Sequence, residues 1–331
     1  DGIDSVAWLP SVDVPSGEIV YDEDEEDNEM EKEFPLFVLG QIYLPTQEEV
    51  LQIFEPRYVD LYSDLQKNDK KQFVVAWPHP TQSGRFSRTG VLWQVQSIED
   101  TSEQTSGKTK YKCKHVVKGR ININKILNPR DWKTKRTYLK VRGTVFDEIP
   151  DEELQESAVK DGIYTAVKMA NIPTNENIPQ EEMALRNCLY ELVDLQHALD
   201  EDIKFNLSLK ETLQLGPDPK KGLWHFVRLW QYFLHQKIVQ IQSKVQREFQ
   251  QKLEDYLTNE RGMKELPKQV SLQELSPSLR AEFRSLPTKI KTEIEPKLNE
   301  SSICMHKLLE TESHPGMCKI LHYFVNEERQ R

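Results

Sequence analysis

The sequence has no apolar run that approaches the roughly 18–20 residues that a membrane-spanning helix needs. It has few cysteines, and Cys113, Cys188, Cys304 and Cys318 lie far apart without a Cys-x-x-Cys pair. In a chain of 331 residues this spacing argues against a disulfide framework and indicates a reducing compartment. We therefore expect no membrane span, one sizeable core and room for two domains. Since the sequence starts at Asp1 rather than at Met, we expect a processed or trimmed product.

A complete phosphate-binding loop is also missing. Ser106-Gly-Lys-Thr109 ends like the loop Gly-x-x-x-x-Gly-Lys-Ser/Thr, but Ser102 stands where the first glycine belongs. Without that glycine the backbone cannot close around phosphates in the usual way. No nucleophile–base constellation is evident elsewhere in the sequence. We therefore expect no catalytic residue, no cofactor and no small-molecule substrate, and we predict that the protein is not an enzyme.

Metal-ligating residues occur near the C-terminus, but their spacing is irregular. They are Cys304, His306, His314, Cys318 and His322. Cys318 and His322 lie four residues apart on a predicted helix, although the whole set matches no zinc module. Small polar residues on amphipathic helices explain this pattern better, so we predict no metal site.

Negative charge is concentrated in one stretch of the chain. The net charge is −10, and residues 1–33 hold thirteen acids and one lysine, whereas the rest holds 43 bases and 41 acids. Like-charge repulsion predicts that residues 1–33 form an acidic, largely disordered segment. Within it, the apolar stretch Val6-Ala-Trp-Leu9 is a candidate anchor on the body of the protein.

Residues 34–150 read as a β-rich domain. Short apolar runs rich in strand formers are bounded by Pro35 and Pro45, and Pro56 is suited to open a helix to about Lys67. The predicted strands are 34–44, 49–54, 72–77, 88–98, 108–117, 120–127 and 137–146. Periodicity alone indicates a mostly antiparallel arrangement.

The apolar period becomes helical from residue 151 onward. We predict a helical bundle over 151–260, with helices over 152–171 and 180–206 and one long helix over 222–257. At 1.5 Å per residue this last helix approaches about 50 Å, so we expect its aromatic start inside the bundle and its later half to project. Residues 261–331 are predicted to be a helical extension. In it, Ser276-Pro277 begins a short segment to Leu286, and a final helix lies near 317–327.

Three segments resemble the opening of the LON substrate-binding domain: Phe34-Pro-Leu-Phe37, Leu44-Pro45 and Ile53-Phe-Glu-Pro-Arg-Tyr58. That domain stands at the N-terminus of ATP-dependent Lon proteases and also occurs without the protease. The strands Phe73-Val-Val-Ala-Trp77 and Tyr138-Leu-Lys-Val141 are similar to later parts of the same pattern. One departure is Pro45-Thr46, where the family commonly has Pro-Gly, and this affects the geometry expected for the first turn.

The resemblance implies an α+β fold in which a PUA-like, partly closed barrel of six or seven strands precedes the helical bundle. It implies non-catalytic recognition of proteins or peptides, as an adaptor, a chaperone-like factor or an assembly subunit. It therefore implies a protein partner or a larger assembly. Lone LON-domain proteins of plants and algae similarly carry a long Trp-rich helix, which implies a chloroplast location, with the cytoplasm as the alternative.

Three sets of residues are candidate recognition surfaces. Those for a peptide or protein partner are Phe54, Glu55, Arg57, Tyr58, Trp77 and Trp93. Those for a contact surface on the projecting half of the long helix are Val245, Phe249, Leu253 and Tyr256. Those for a polyanion are Lys108, Lys110, Lys112, Lys114, Lys118 and Arg120.

The first and third sets each have an alternative explanation. Apolar positions in short strands are mostly core, so the aromatic residues of the first set equally suit the interior. Alternating lysines place their charges on one side of a strand, which is typical of a solvated face or a protected sheet edge. The same pattern suits nucleic-acid binding, which is the alternative function.

Overall fold

The computed structural model describes residues 2–13, 31–67, 71–149, 179–218, 221–262 and 270–331. The predicted helix over 152–171 and the acidic run at 22–29 lie outside the described residues. The strands are β1 (Lys32–Val38), β2 (Glu48–Ile53), β3 (Gln72–Ala76), β4 (Thr89–Asp100), β5 (Tyr111–Ile126) and β6 (Leu139–Val145). The helices are α1 (Pro56–Leu65), α2 (Asp131–Thr134), α3 (Gln180–Ala198), α4 (Leu209–Thr212), α5 (Leu223–Asp255), α6 (Pro277–Glu310) and α7 (His314–Gln330).

The described strands form a closed barrel with one added strand. Their order is β2-β5-β4-β3-β1-β6, and β6 also pairs with β5, which closes the ring. Only β1 and β3 are parallel; the other pairs are antiparallel. Strand β2 pairs with the first half of β5 and lies outside the closed ring. The predicted α+β class and the mostly antiparallel barrel are thus confirmed.

The described residues hold six strands, because two predicted strands are one. The predicted strands 108–117 and 120–127 form the single strand β5 of 16 residues. Gly119 in its middle does not end the strand. A Cβ at this position would lie 2.6 Å from the carbonyl oxygen of Asp147. Glycine is therefore required because the chain that follows β6 crosses β5 closely.

The barrel strands face two different cores. On β3, Val74 and Ala76 point into the barrel interior, whereas Phe73 and Val75 point outward. The outward side chains join one continuous core with α1, α3, α5 and α7. Its largest members include Trp93 from β4 and Trp230 from α5, both fully buried. The helices thus cover the outside of the barrel and leave no separate core for the bundle.

The predicted apolar anchor near the N-terminus is confirmed. The N–H of Leu9 donates to the carbonyl of Phe86, and the N–H of Arg88 donates to the carbonyl of Ala7, each at 2.8 Å. Leu9 is fully buried and belongs to the cluster of the barrel interior. The segment 2–13 therefore closes one part of the barrel by backbone and side-chain contacts.

Helix α6 is much longer than the short segment predicted from the sequence. Its start is as expected, since the Ser276 side chain accepts a hydrogen bond from Leu279 N–H and Pro277 follows the cap. The helix then continues through Pro287 and Pro296 to Glu310. Each internal proline carries a penalty of about 3 kcal/mol. Packing against α5 offsets this penalty, because α6 runs along α5 over much of its length.

The later half of α5 and the first half of α6 form an antiparallel pair outside the bundle core. We call this pair, residues 239–262 and 270–298, the arm. Its buried seam is a separate small cluster of Phe249, Leu275 and Leu279. No described helix has the length and apolarity that crossing a membrane requires.

Candidate protein-recognition surface

The residues of the first predicted set, the candidates for a peptide or protein partner, differ widely in their exposure to solvent. Phe54 is 64 % exposed, whereas Tyr58 and Trp93 are buried. The Tyr58 ring stacks on Phe37 with centroids 3.8 Å apart. Trp93 meets the edge of Tyr43 at 4.8 Å within the shared core. Tyr58 and Trp93 are therefore packing residues, and the prediction that they contact a partner is wrong for this conformation.

Glu55 and Arg57 fix the start of α1. The Nη2 atom of Arg57 lies 2.9 Å from Oε2 of Glu55. The Arg57 guanidinium also lies over the Tyr58 ring, 4.5 Å from its centroid, and 5.7 Å from that of Trp132. Both residues are partly exposed, directly beside Phe54. They hold the turn that presents the Phe54 side chain to solvent.

The outer edge of β2 carries backbone groups that no other described strand pairs with. The N–H of Val117 donates to the carbonyl of Gln47, so the odd-numbered residues of β2 bond to β5. Glu48, Val50 and Gln52 therefore direct their N–H and C=O groups to the outer edge. The Val50 N–H donates to Oε1 of Glu49 at 3.1 Å. A side chain thus holds the position that a paired strand would take.

The same alternation exposes four side chains on one face. We call the outer edge of β2 and these side chains, Glu48, Val50, Gln52 and Phe54, the recognition edge. Val50 is 47 % exposed, which leaves two large apolar side chains of this strand in water. Glu48, Glu49 and Glu55 lie along this edge, but Glu48 pairs with Lys114 and Glu55 pairs with Arg57, each at 2.9 Å. On the same face, Lys112 lies across from Gln52. Among the described residues, the edge thus combines backbone groups that no other strand pairs with, apolar side chains and charges of both signs.

Buried His115 ties the recognition edge to the body. Its Nδ1–H donates to the Glu49 carbonyl at 3.2 Å, and its Nε2 accepts from the Tyr62 hydroxyl at 2.6 Å. Burial lowers the pKa of His115 to about 4. The neutral imidazole thus links β5, β2 and α1, and it fixes the position of the edge.

The predicted basic face is largely neutralised by acids on neighbouring strands. Lys110 pairs with Asp100 at 2.6 Å, and Lys114 pairs with Glu48. Lys108 and Lys112 are exposed. The lysines do alternate with buried Cys113 and His115, as the pattern predicted. The face therefore carries less net positive charge than the sequence run indicates.

Lys118 and Arg120 are buried and cannot contact a polyanion. Arg120 is 3 % exposed, and its Nε lies 2.6 Å from Oδ2 of Asp147. Its Nη1 donates to the carbonyls of Leu308, Leu309 and Thr311 at 3.1, 2.9 and 2.6 Å. These carbonyls lie at the C-terminal end of α6, where the helix leaves its acceptors unpaired. The basic side chain of β5 thus caps α6, which corrects its assignment to a polyanion site.

The predicted contact surface on α5 is covered by α6 of the same chain. Val245 and Phe249 are buried, and Leu253 and Tyr256 are partly buried. The Tyr256 hydroxyl donates to the carbonyl of Glu274 at 3.2 Å. This stripe is the seam of the arm, so a partner does not reach Val245 or Phe249 in this conformation. The sequence did not predict that α6 would cover this stripe, because α6 was expected to be short.

The loop at 106–109 and the C-terminal cysteines and histidines lie in separate places in the described structure. Residues 101–110 are a connection between two strands, and Gly107 N–H donates to the Ser102 carbonyl at 2.8 Å. A phosphate loop requires a helix at this place. Cys318 Sγ lies 3.7 Å from His314 Nε2, but the described residues contain no group of three ligands able to hold a metal.

Trp77 lies at a contact between three segments of the chain that the sequence did not indicate. This partly buried ring lies 5.4 Å from Trp8 and 4.5 Å from His306, between centroids, and thus joins β3, the N-terminal segment and α6. Trp77 Nε1–H donates to the Gly40 carbonyl at 3.3 Å. His306 is buried without a hydrogen-bond partner among the described residues, and burial lowers its pKa to about 3. Because these three segments lie far apart in the sequence, no local pattern of residues could have predicted their contact.

The likeness of this chain to known proteins is low. No protein-family model matches the sequence, and no curated protein matches it. The structure is similar to the N-terminal domain of a Mycobacterium avium complex Lon protease, with a TM-score of 0.30 and 13 % identity over 51 % of this chain and 72 % of that chain. It is also similar to a Lon N-terminal domain protein from Xanthomonas campestris, with a TM-score of 0.31 and 16 % identity over 60 % of this chain and 98 % of that chain. Both are Lon N-terminal domains, the family that the sequence resembles, but values this low do not indicate a function. The function is therefore inferred from this chain's own residues.

Proposed function

We propose that this protein recognises other proteins without catalysis, and that the recognition edge is where it does so. The observation that supports this most directly is Phe54, 64 % exposed at the end of a strand with an unpaired outer edge. Large apolar side chains are rarely held in water beside free backbone donors and acceptors without a partner. An adaptor, a chaperone-like factor and an assembly subunit all use such a surface.

The ligand is an extended peptide segment that adds a strand to β2. Its backbone pairs with Glu48, Val50 and Gln52, while its alternate side chains pack on Val50 and Phe54. The Val50 N–H then exchanges the Glu49 carboxylate for a peptide carbonyl. Because charges of both signs border the edge, we expect the apolar side chains rather than net charge to select the peptide.

Nucleic acid is the weaker candidate, because the basic strand is paired with acids and two of its six predicted cations are buried. The proposed absence of catalysis rests on the loop at 106–109, which leads into a strand. A chloroplast location remains a proposal that rests on the resemblance alone. Fractionation of native cells with an antibody against this chain tests it.

Binding to an array of 12-residue peptides that scan an unfolded protein such as reduced casein tests the proposal. We expect peptides with alternating apolar residues to bind, and Phe54→Ala to weaken the best of them at least tenfold by fluorescence anisotropy. Val50→Pro removes only an outward N–H, which an edge strand tolerates, and should prevent strand addition.

The matched control is Tyr323→Ala on α7, where the side chain is 59 % exposed. It should leave peptide affinity unchanged. Equal binding by the parent chain, Phe54→Ala and Val50→Pro would exclude the recognition edge as the site. Circular dichroism confirms that each variant is folded, and little change is expected because these side chains face solvent.

A further inference from the structure

The arm has one flank closed by ion pairs. Lys252 Nζ lies 2.5 Å from Glu282 Oε1, and Lys289 Nζ lies 3.3 Å from Glu248 Oε2. These pairs align α5 and α6 in antiparallel register along the same side of the seam. The seam behind them holds Phe249 and Leu279.

Among the described residues, the opposite flank of the arm is apolar and partly exposed. At about 100° per residue, five side chains of α6 lie within a stripe about 80° wide, and the stripe points more than about 100° away from Glu282 and Lys289. They are Phe283, Pro287, Ile290, Ile294 and Leu298. Phe283 is 43 % exposed and Leu298 is 48 % exposed, and Ile290 and Ile294 are partly exposed.

The facing flank of α5 completes a groove. By the same helical spacing, Val239, Gln242, Gln246 and Leu253 lie on this side of α5. Val239 is exposed and Leu253 is partly exposed. The two helices thus line a shallow groove whose α6 wall is apolar and whose α5 wall mixes apolar side chains with glutamine amides.

The outer rim of this groove is basic. Arg284 and Lys291 lie next to the α6 stripe on its solvent side, two turns apart, and both are exposed. Lys289 points to the other flank, where Glu248 neutralises it. Charge on that side of the stripe is therefore positive between Phe283 and Ile294, and exposed Glu295 follows one turn after Lys291.

We propose that this groove binds one amphipathic helix of a partner protein, and that the polar face of that helix is acidic. A helix that covers Phe283 to Leu298 needs about 15 residues, or roughly 22 Å. Its apolar face enters the groove, and its carboxylates meet Arg284 and Lys291. This surface lies on the arm and is independent of the recognition edge.

Fluorescence anisotropy with two designed 16-residue peptides tests the proposal on the full chain. Both peptides carry leucine at i, i+3, i+4 and i+7; one has glutamate and the other lysine at the flanking positions. We expect the acidic peptide to bind at least tenfold more tightly than the basic one. Phe283→Ala combined with Leu298→Ala should weaken it at least tenfold, and Arg284→Glu combined with Lys291→Glu should reverse the preference between the peptides.

The matched control is Lys244→Glu combined with Arg247→Glu, which changes the same charge on the far side of α5 and should leave the preference intact. The charge-reversal pair removes no apolar contact, so it reports on the site even if the double alanine variant loses its fold. Equal binding of both peptides, or binding unchanged by charge reversal, would refute the proposal. A concentration-dependent dimer that Arg284→Glu with Lys291→Glu leaves intact and Phe283→Ala abolishes would assign the groove to a second copy instead. Phe54→Ala should leave these measurements unchanged, which separates them from the test of the recognition edge.

Discussion

The barrel with its bundle and the arm are stabilised by cores of very different size. The first shares one core in which Trp93 and Trp230 are fully buried, and an Arg120 cap joins β5 to the end of α6. The arm is a single seam around Phe249 with ion pairs along one side. The difference shows that most of the described apolar packing holds the barrel and the bundle together, and that little of it holds the arm. We therefore expect that the arm can unfold locally while the barrel stays folded.

Replacing Arg120 should have the largest effect on global stability. Arg120→Ala leaves Asp147 without its ion-pair partner and the last carbonyls of α6 without a donor. Removal of one partner of a buried charged pair typically costs about 3–5 kcal/mol. Urea denaturation measures it, with the exposed Arg130→Ala as control. A loss below about 1 kcal/mol would show that the barrel and α6 are held by apolar packing alone.

Acidification should have the next largest effect, through His306 and His115. Burial lowers the pKa of His306 to about 3 and that of His115 to about 4, so the unfolded chain binds their protons more readily. Stability should therefore fall as the pH drops below about 6.5, by about 2 kcal/mol for His306 at pH 5. His306→Phe keeps a ring beside Trp77 and should flatten this dependence in melts between pH 7 and 5. If the pH dependence of stability is the same in that variant as in the parent chain, then His306 does not cause it.

Replacing Phe249 should have the smallest global effect and a clear local one. Phe249→Ala removes the main side chain of the arm seam, where such truncations cost about 3–5 kcal/mol. Because the seam is separate from the shared core, hydrogen exchange should speed up in 243–257 and 275–290 while the barrel amides keep their protection. Trp230→Ala is the contrast, since it should weaken the whole molecule. A fall in barrel protection with Phe249→Ala would mean that the two regions unfold as one.

Local signals explain which parts of the fold were predicted correctly. Pro56 and Ser276-Pro277 marked two helix starts, because caps and proline at the first turn act within a few residues. The alternation of Lys112, Cys113 and Lys114 gave the correct faces of β5. The apolar period gave the long helix within a few residues of Leu223–Asp255.

The errors arose where distant segments decide the outcome. Pro287 suggested a helix end, but packing on α5 keeps α6 continuous. Arg120 belonged to a basic run typical of a solvated face, yet Asp147 and the end of α6 enclose it. Of the first candidate set, Phe54 is exposed and Tyr58 is not, although they are four residues apart. Which residue of such a motif reaches the surface depends on what packs above it.

Helix α6 connects the arm to the barrel as one continuous helix. Its 34 residues make a rod of about 50 Å, and the two ends do different jobs. The C-terminal end is clamped to β5 by Arg120 and to the N-terminal segment by a hydrogen bond from Lys307 to the Ser5 carbonyl, whereas the N-terminal end belongs to the arm. Because the helix is continuous from Pro277 to Glu310, a force on the arm near Phe283 would be transmitted along it to the half that packs in the shared core. The Arg120 contacts lie at the far end of that path.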